Sequence, residues 1–181
     1  TREAKGLLHT LYRQIDEDFF INGSLTSHSA VPELLAGVWA AGRESIIQPD
    51  QLDQKTKEAM AATLSRVNDC AYCGDMLISL VHSAGDKSAA KGIFSGKDSG
   101  LTDNILEERL QWVSAVSTPG GSLPRTAPFS KAELPEAISC LVAMSHINRY
   151  SHIVMDGSPV PFGRSAAKYA ALSMFSLELK E

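Results

Sequence analysis

Cysteine is scarce in this sequence, with three residues among 181, an odd number. This count does not suit the disulfide framework of a small secreted protein, so a reducing, cytoplasmic compartment is expected. No stretch approaches the roughly 18 to 20 uninterrupted apolar residues of a membrane helix, and we expect no membrane partner. The formal net charge is -4 and there is no long basic run, which argues against nucleic acid as a partner.

Period-two alternation is also nearly missing, and the apolar residues recur instead at helical steps of three and four. One helical stripe precedes Gly85, a residue typical of the position just past a helix end; its members are Met76, Leu77, Leu80, Val81 and Ala84. From Ile138 to Met144 nearly every position is apolar, which predicts a central helix buried on most sides. The sequence therefore predicts an all-α protein, a compact helical bundle forming one domain over residues 1–181.

Two cysteines, Cys70 and Cys73, stand one helical turn apart in "NDCAYCGDMLISLVHSAG". At the start of a helix, unpaired backbone N–H groups and the helix dipole favour a thiolate. A second thiol three residues away can resolve the oxidised sulfur as an intramolecular disulfide. Asp69 is expected to cap this helix. The pattern indicates a redox pair, with two small buried core residues as the alternative.

A zinc site is less well supported by the same cysteines. Structural zinc takes four ligands, usually two such pairs or one pair with two spaced histidines. Here Cys140 is far away in the sequence and His82 lies on the opposite side of the helix from Cys73. We expect neither a metal nor another cofactor.

The wider pattern resembles the alkylhydroperoxidase D / carboxymuconolactone decarboxylase family. The similar segments are "VPELLAGVWAAGRESI", a helix with Glu58, "SRVNDCAYC", a helix ended by glycine, and "CLVAMSHINRYSHIV" with its Asn148-Arg149 pair. Eleven residues separate Glu58 from Cys70, as in the alkylhydroperoxidase D branch. The resemblance is clearest over residues 30–155.

This resemblance implies an all-helical homo-oligomer that reduces hydroperoxides or disulfides through its CxxC pair. Cys73 would be the attacking thiolate, Cys70 the resolving thiol, and Glu58 the start of a proton relay. A small thiol or a protein reductant would then regenerate the pair.

The family motif is interrupted at one position, four residues after Cys73, where a histidine is expected and Leu77 stands. An imidazole at this position would lie on the same helix face as the sulfur and exchange a proton with it, which leucine cannot do. Residues that would support the site instead are Tyr72, between the cysteines, and His146, Arg149 and His152 on a later helix.

Two other functions remain open on the sequence alone. The first is a non-catalytic helical oligomer or redox sensor of the same family. The second is an enzyme of the decarboxylase type, for which His146, Arg149 and His152 are the clustered acid, base and cationic candidates.

Overall fold

Helices make up all the regular secondary structure in the computed structural model, which describes residues 3–97, 99–160, 163 and 165–178. This confirms the predicted all-α fold. The helices are α1 (Gly6–Asp18), α2 (Gly23–Thr26), α3 (Pro32–Gly42), α4 (Gln54–Val67), α5 (Ala71–Ser83), α6 (Lys87–Ser95), α7 (Asn104–Ser117), α8 (Glu133–Val154) and α9 (Ala166–Glu178). Within the described residues, every helix is too short or too polar to span a bilayer.

Helix α4 forms the centre of the bundle, and α5, α6, α7 and α8 all pack against it. Ten consecutive residues, 56–65, are buried, including the charged Lys57 and Glu58. Lys57 pairs with Glu136 of α8, and its Nζ donates a hydrogen bond to the Gln48 carbonyl oxygen at 2.5 Å. A buried ammonium group is tolerated because these partners compensate for the lost hydration.

Helix α8 is less buried than the sequence predicts. Ile138 is 48% exposed and Val142 is 65% exposed. The buried face is instead Ala137, Cys140, Met144, Asn148 and Ser151. The expectation of burial on most sides was wrong because an almost uniformly apolar segment does not reveal its inner face. Packing against α4 fixes this face, and Cys140 approaches the backbone of α4 closely enough for its Sγ to donate to the Lys57 carbonyl at 3.6 Å.

The turn between α4 and α5 places the cysteine pair at a helix start. Asp69 adopts a left-handed conformation, with φ 56°, and the cap of α5 is Cys70. The prediction that Asp69 caps this helix was therefore wrong, since the tight reversal places the cysteine side chain over the first turn. At the other end, Gly85 follows the helix with φ 92°, as the sequence predicted.

Candidate thiol site

The two cysteines of the motif lie close together and are both buried. Cys70 is 3% exposed and Cys73 is 5% exposed, and neither thiol is in a disulfide. As the cap of α5, Cys70 Sγ accepts a hydrogen bond from the Cys73 backbone N–H at 3.4 Å. The sequence therefore brings both sulfurs to the first turn of one helix, where a thiolate is favoured.

Hydrogen bonding favours a thiolate on Cys70 in this arrangement. The Cys73 thiol donates a hydrogen bond to Cys70, which lowers the pKa of Cys70 more than any other contact does. Burial raises the pKa of Cys70, and the hydrogen bond from the Cys73 N–H lowers it. The net result is a pKa of about 7. The charge of His152 contributes in the same direction, and that of Asp69 opposes it. Of the two sulfurs, Cys70 is therefore the one on which a negative charge is stabilised.

Cys73 holds the remaining proton of the pair. Its hydrogen bond to Cys70 and its burial both raise the pKa of Cys73, whereas the Ser151 hydroxyl lowers it. Ser151 is itself buried, and within the described part of the chain its Oγ has no partner at full hydrogen-bond geometry. An underused hydroxyl therefore lies beside the Cys73 sulfur.

An apolar pocket opens over Cys73. The space within it, together with the open solvent at its mouth, is about 770 Å³. Helices α3, α5 and α8 contribute, together with the two residues that follow α1, the segment around α2 and the π-helical turn Arg43–Ile47 after α3. Its side chains are predominantly aromatic and aliphatic, among them Phe19, Phe20, Trp39, Ile46, Tyr72, Met76, Leu77, Met144 and Tyr150. Such a lining suits a bulky apolar ligand.

Leu77 stands where the resemblance expects a histidine, and it lines the same pocket as Cys73. The two residues therefore do share a helix face, as their spacing predicts. The leucine adds apolar surface to the wall and offers no group that exchanges protons with the sulfur.

Tyr72 also lines this pocket, but its hydroxyl is occupied. The Gly23 backbone N–H donates to Tyr72 Oη at 3.0 Å, which joins α5 to the start of α2. Burial raises the pKa of Tyr72 and outweighs hydrogen bonds from Gly23 and Ser24 that lower it. Tyr72 therefore positions the pocket wall and carries no negative charge at neutral pH.

His28 is a pocket residue that sequence reasoning missed. It is buried, stacks on Tyr150 with ring centroids 4.0 Å apart, and donates from Nδ1 to the Ser24 carbonyl oxygen at 2.9 Å. Its position before the recognised segment gave no signal, because only folding brings the α2 segment over α5.

The three candidates on α8 have separate environments. His146 lines the apolar pocket. Arg149 is exposed and donates to the Ser145 carbonyl oxygen of its own helix at 3.2 Å. His152 donates from Nε2 to the Asn68 carbonyl oxygen at 3.1 Å, near Cys70. They are not gathered in one pocket.

Glu58 is buried in α4, 3% exposed, and its Oε1 accepts a hydrogen bond from the Gln54 amide at 2.8 Å. Burial raises the pKa of Glu58 to about 7, although the Gln54 hydrogen bond lowers it. A carboxyl with this pKa is suited to proton transfer. Its observed partner is an amide of its own helix, and a link to the thiols stays a prediction.

Comparison with known proteins supports the fold. A scan against protein-family models and a search of curated proteins gave no match. Among solved structures, the chain is similar to the debrominase Bmp8, determined as a cysteine-to-alanine variant in complex with 2,3,4-tribromopyrrole. The TM-score is 0.68 at 16% sequence identity, covering 92% of this chain and 90% of that chain. At this identity the likeness establishes a shared helical fold.

Proposed function

We propose that this protein is a thiol oxidoreductase of the alkylhydroperoxidase D-like type, which reduces organic hydroperoxides bearing a bulky apolar group. The observation that carries the proposal is the position of Cys73, which lines a large apolar pocket while hydrogen-bonded to Cys70. The first contact supports binding of an apolar oxidant beside a sulfur. The second provides the partner that completes a two-electron reduction.

In the proposed reaction, Cys70 replaces the missing histidine as the base. The Cys73 sulfur attacks the distal peroxide oxygen while its proton passes to the Cys70 thiolate, and the O–O bond breaks. The departing alkoxide takes up, through water, the proton that Cys70 released when it ionised, and leaves as an alcohol. Cys70 then attacks the Cys73 sulfenic acid, and its proton leaves with the hydroxyl group as water. One hydroperoxide and two thiols thus give one alcohol, one water and one disulfide.

The size of the pocket favours organic hydroperoxides over hydrogen peroxide. Burying about 100 Å² of a phenyl substituent is worth roughly 2.5 kcal/mol. Even if half of this is lost to binding costs, cumene hydroperoxide gains about tenfold in kcat/KM over hydrogen peroxide. An equal kcat/KM for the two peroxides would show that the apolar pocket does not bind the substrate.

The test compares the parent with Cys73→Ser and Cys140→Ser in cumene hydroperoxide turnover with dithiothreitol as reductant. Cys140 is also a free buried thiol, and it contacts the Lys57 backbone away from the pair. Cys73→Ser should abolish turnover and Cys140→Ser should retain it. Thiol oxidation without turnover would favour a redox sensor, and loss of activity in both variants would contradict the proposed site.

Reductive dehalogenation is a second candidate, favoured by the fold shared with a debrominase and by the aromatic lining of the pocket over Cys73. An aryl bromide and two thiols would give the arene, bromide, a proton and the disulfide. Bromide release from 2,3,4-tribromopyrrole in the presence of dithiothreitol, measured by ion chromatography, tests it. Release that persists in Cys73→Ser would exclude the pair as its source.

A further inference from the structure

A second pocket lies on the other side of the cysteine pair, against Cys70. The space within it, together with the open solvent at its mouth, is about 500 Å³. It differs in character from the first, since charged side chains stand beside the apolar Ile78 and Phe94 in its wall. The charged members are Arg66, Asp69, Asp75 and Lys168. Each cysteine therefore has a pocket of its own, apolar for Cys73 and more polar for Cys70; the second is called the polar pocket below.

We infer that the polar pocket admits a small hydrophilic thiol that reduces the oxidised pair by attacking Cys70. This inference rests on the proposed redox cycle. Substrate and reductant would then reach the disulfide from opposite sides, through pockets of different polarity. A low-molecular-weight thiol is expected because Cys70 is recessed at the pocket wall and only 3% exposed.

The charges of the polar pocket are largely balanced by one another. Lys168 of α9 pairs with Asp75 of α5 at 2.6 Å, and Arg66 donates to the Ser114 hydroxyl at 3.0 Å. The four formal charges of the wall sum to zero. The wall is therefore suited to a small, uncharged thiol with polar groups more than to the apolar substrate of the other pocket.

The reduction proceeds by two thiol–disulfide exchanges. The thiolate of a dithiol attacks Cys70 Sγ, the Cys70–Cys73 bond breaks, and Cys73 leaves as a thiolate that takes up a proton. The second thiolate of the dithiol then attacks the other dithiol sulfur, which is bound to Cys70. This breaks the mixed disulfide and releases Cys70. The products are the reduced pair and a cyclic disulfide.

Access determines which sulfur is attacked. Of the two cysteines, Cys70 lines the polar pocket, whereas Cys73 lines the apolar one. A thiol that enters the polar pocket therefore meets the Cys70 sulfur, and the mixed disulfide would form on Cys70. The buried Ser151 hydroxyl lies beside the departing Cys73 sulfur.

Two glycines allow each pocket to be filled separately. A Cβ added at Gly74, in the wall of the polar pocket, meets no atom within 4 Å. A Cβ added at Gly42, in the wall of the apolar pocket, meets only Ile147 Cδ1, at an ordinary contact distance of 3.9 Å. Both glycines have space for a Cβ, so Gly74→Val and Gly42→Val form a matched pair of variants.

Stopped-flow kinetics of the two half-reactions test the inference, with circular dichroism to verify folding. The pair is oxidised with diamide, and its reduction by dithiothreitol is timed, so this measurement does not need peroxidase activity. Gly74→Val should slow reduction by at least tenfold more than it slows oxidation by cumene hydroperoxide, and Gly42→Val should do the reverse. If the disulfide of Gly74→Val is reduced at the parent rate, the inference is wrong even if the peroxidase proposal stands.

Trapping the intermediate provides a second measurement. The oxidised protein is treated with 2-mercaptoethanol, quenched in acid and alkylated, and the adduct is located by fragmentation of the peptide. The adduct is expected on Cys70. An adduct on Cys73 would overturn the inference whatever the behaviour of the glycine variants.

Discussion

Glu58 is a buried carboxyl, and Glu58→Gln replaces it with an uncharged amide of nearly the same shape. The Gln54 amide donates to Glu58 Oε1 at 2.8 Å, and the oxygen of a glutamine side chain can accept the same bond. The substitution therefore removes the titration and keeps the packing. Its effect on stability should come mainly from the charge.

The magnitude follows from the pKa, which burial raises from 4.5 to about 7 at Glu58. Between these values the native carboxyl keeps its proton while the unfolded one loses it, so the unfolded state binds fewer protons. The free energy of unfolding then falls by about 1.4 kcal/mol per pH unit across this window, and by about 3 kcal/mol in total. Below pH 4.5 the penalty is absent.

Urea denaturation of the parent and Glu58→Gln at intervals from pH 4 to pH 8 measures this difference. The stability of the variant relative to the parent should increase by about 3 kcal/mol between pH 4 and pH 8. Glu108→Gln makes the same change at an exposed position of α7 and serves as the matched control. If Glu58→Gln follows the parent's pH dependence throughout, the carboxyl is not desolvated as the structure indicates.

Two further substitutions test particular contacts. Leu77→His should raise peroxide turnover by about tenfold or more, since it restores an imidazole to the pocket wall. Leu77→Asn, which is polar but not basic, should not raise it. Equal gains in the two variants would refute a relay role for the imidazole. Asp75→Asn should lower the free energy of unfolding in urea by about 3–5 kcal/mol, because it leaves the ammonium group of Lys168 buried without its ion partner. Glu17→Gln, which breaks the exposed Arg13–Glu17 pair, should cost under about 1 kcal/mol. A comparable loss of stability in Asp75→Asn and Glu17→Gln would mean that burial does not strengthen the Lys168–Asp75 pair.

Helix α5 and its surroundings could be predicted in useful detail from the sequence. The apolar stripe before Gly85 and the cysteine pair defined the helix, its end and its first turn. The four-residue spacing correctly placed Leu77 and Cys73 along one pocket wall. These are local properties, fixed by the helical period and by the conformation that glycine permits.

The parts that could not be predicted depend on packing between distant segments. Phe19, Phe20 and His28 line the apolar pocket although they precede the recognisable segment. The burial of α8 was overestimated because almost every residue from Ile138 to Met144 is apolar, and only packing against α4 distinguishes Cys140 from Val142. No sequence pattern indicates that the two cysteines open onto separate pockets of different polarity.

The stoichiometry of thiol oxidation tests the proposed function most directly. The fully reduced protein is titrated with cumene hydroperoxide, the remaining thiols are counted, and the cysteine peptides are mapped by mass spectrometry. The proposal predicts that one hydroperoxide consumes two thiols and joins Cys70 to Cys73, while Cys140 stays free. Unchanged thiols, or a Cys73 sulfinic acid with Cys70 still reduced, would contradict it.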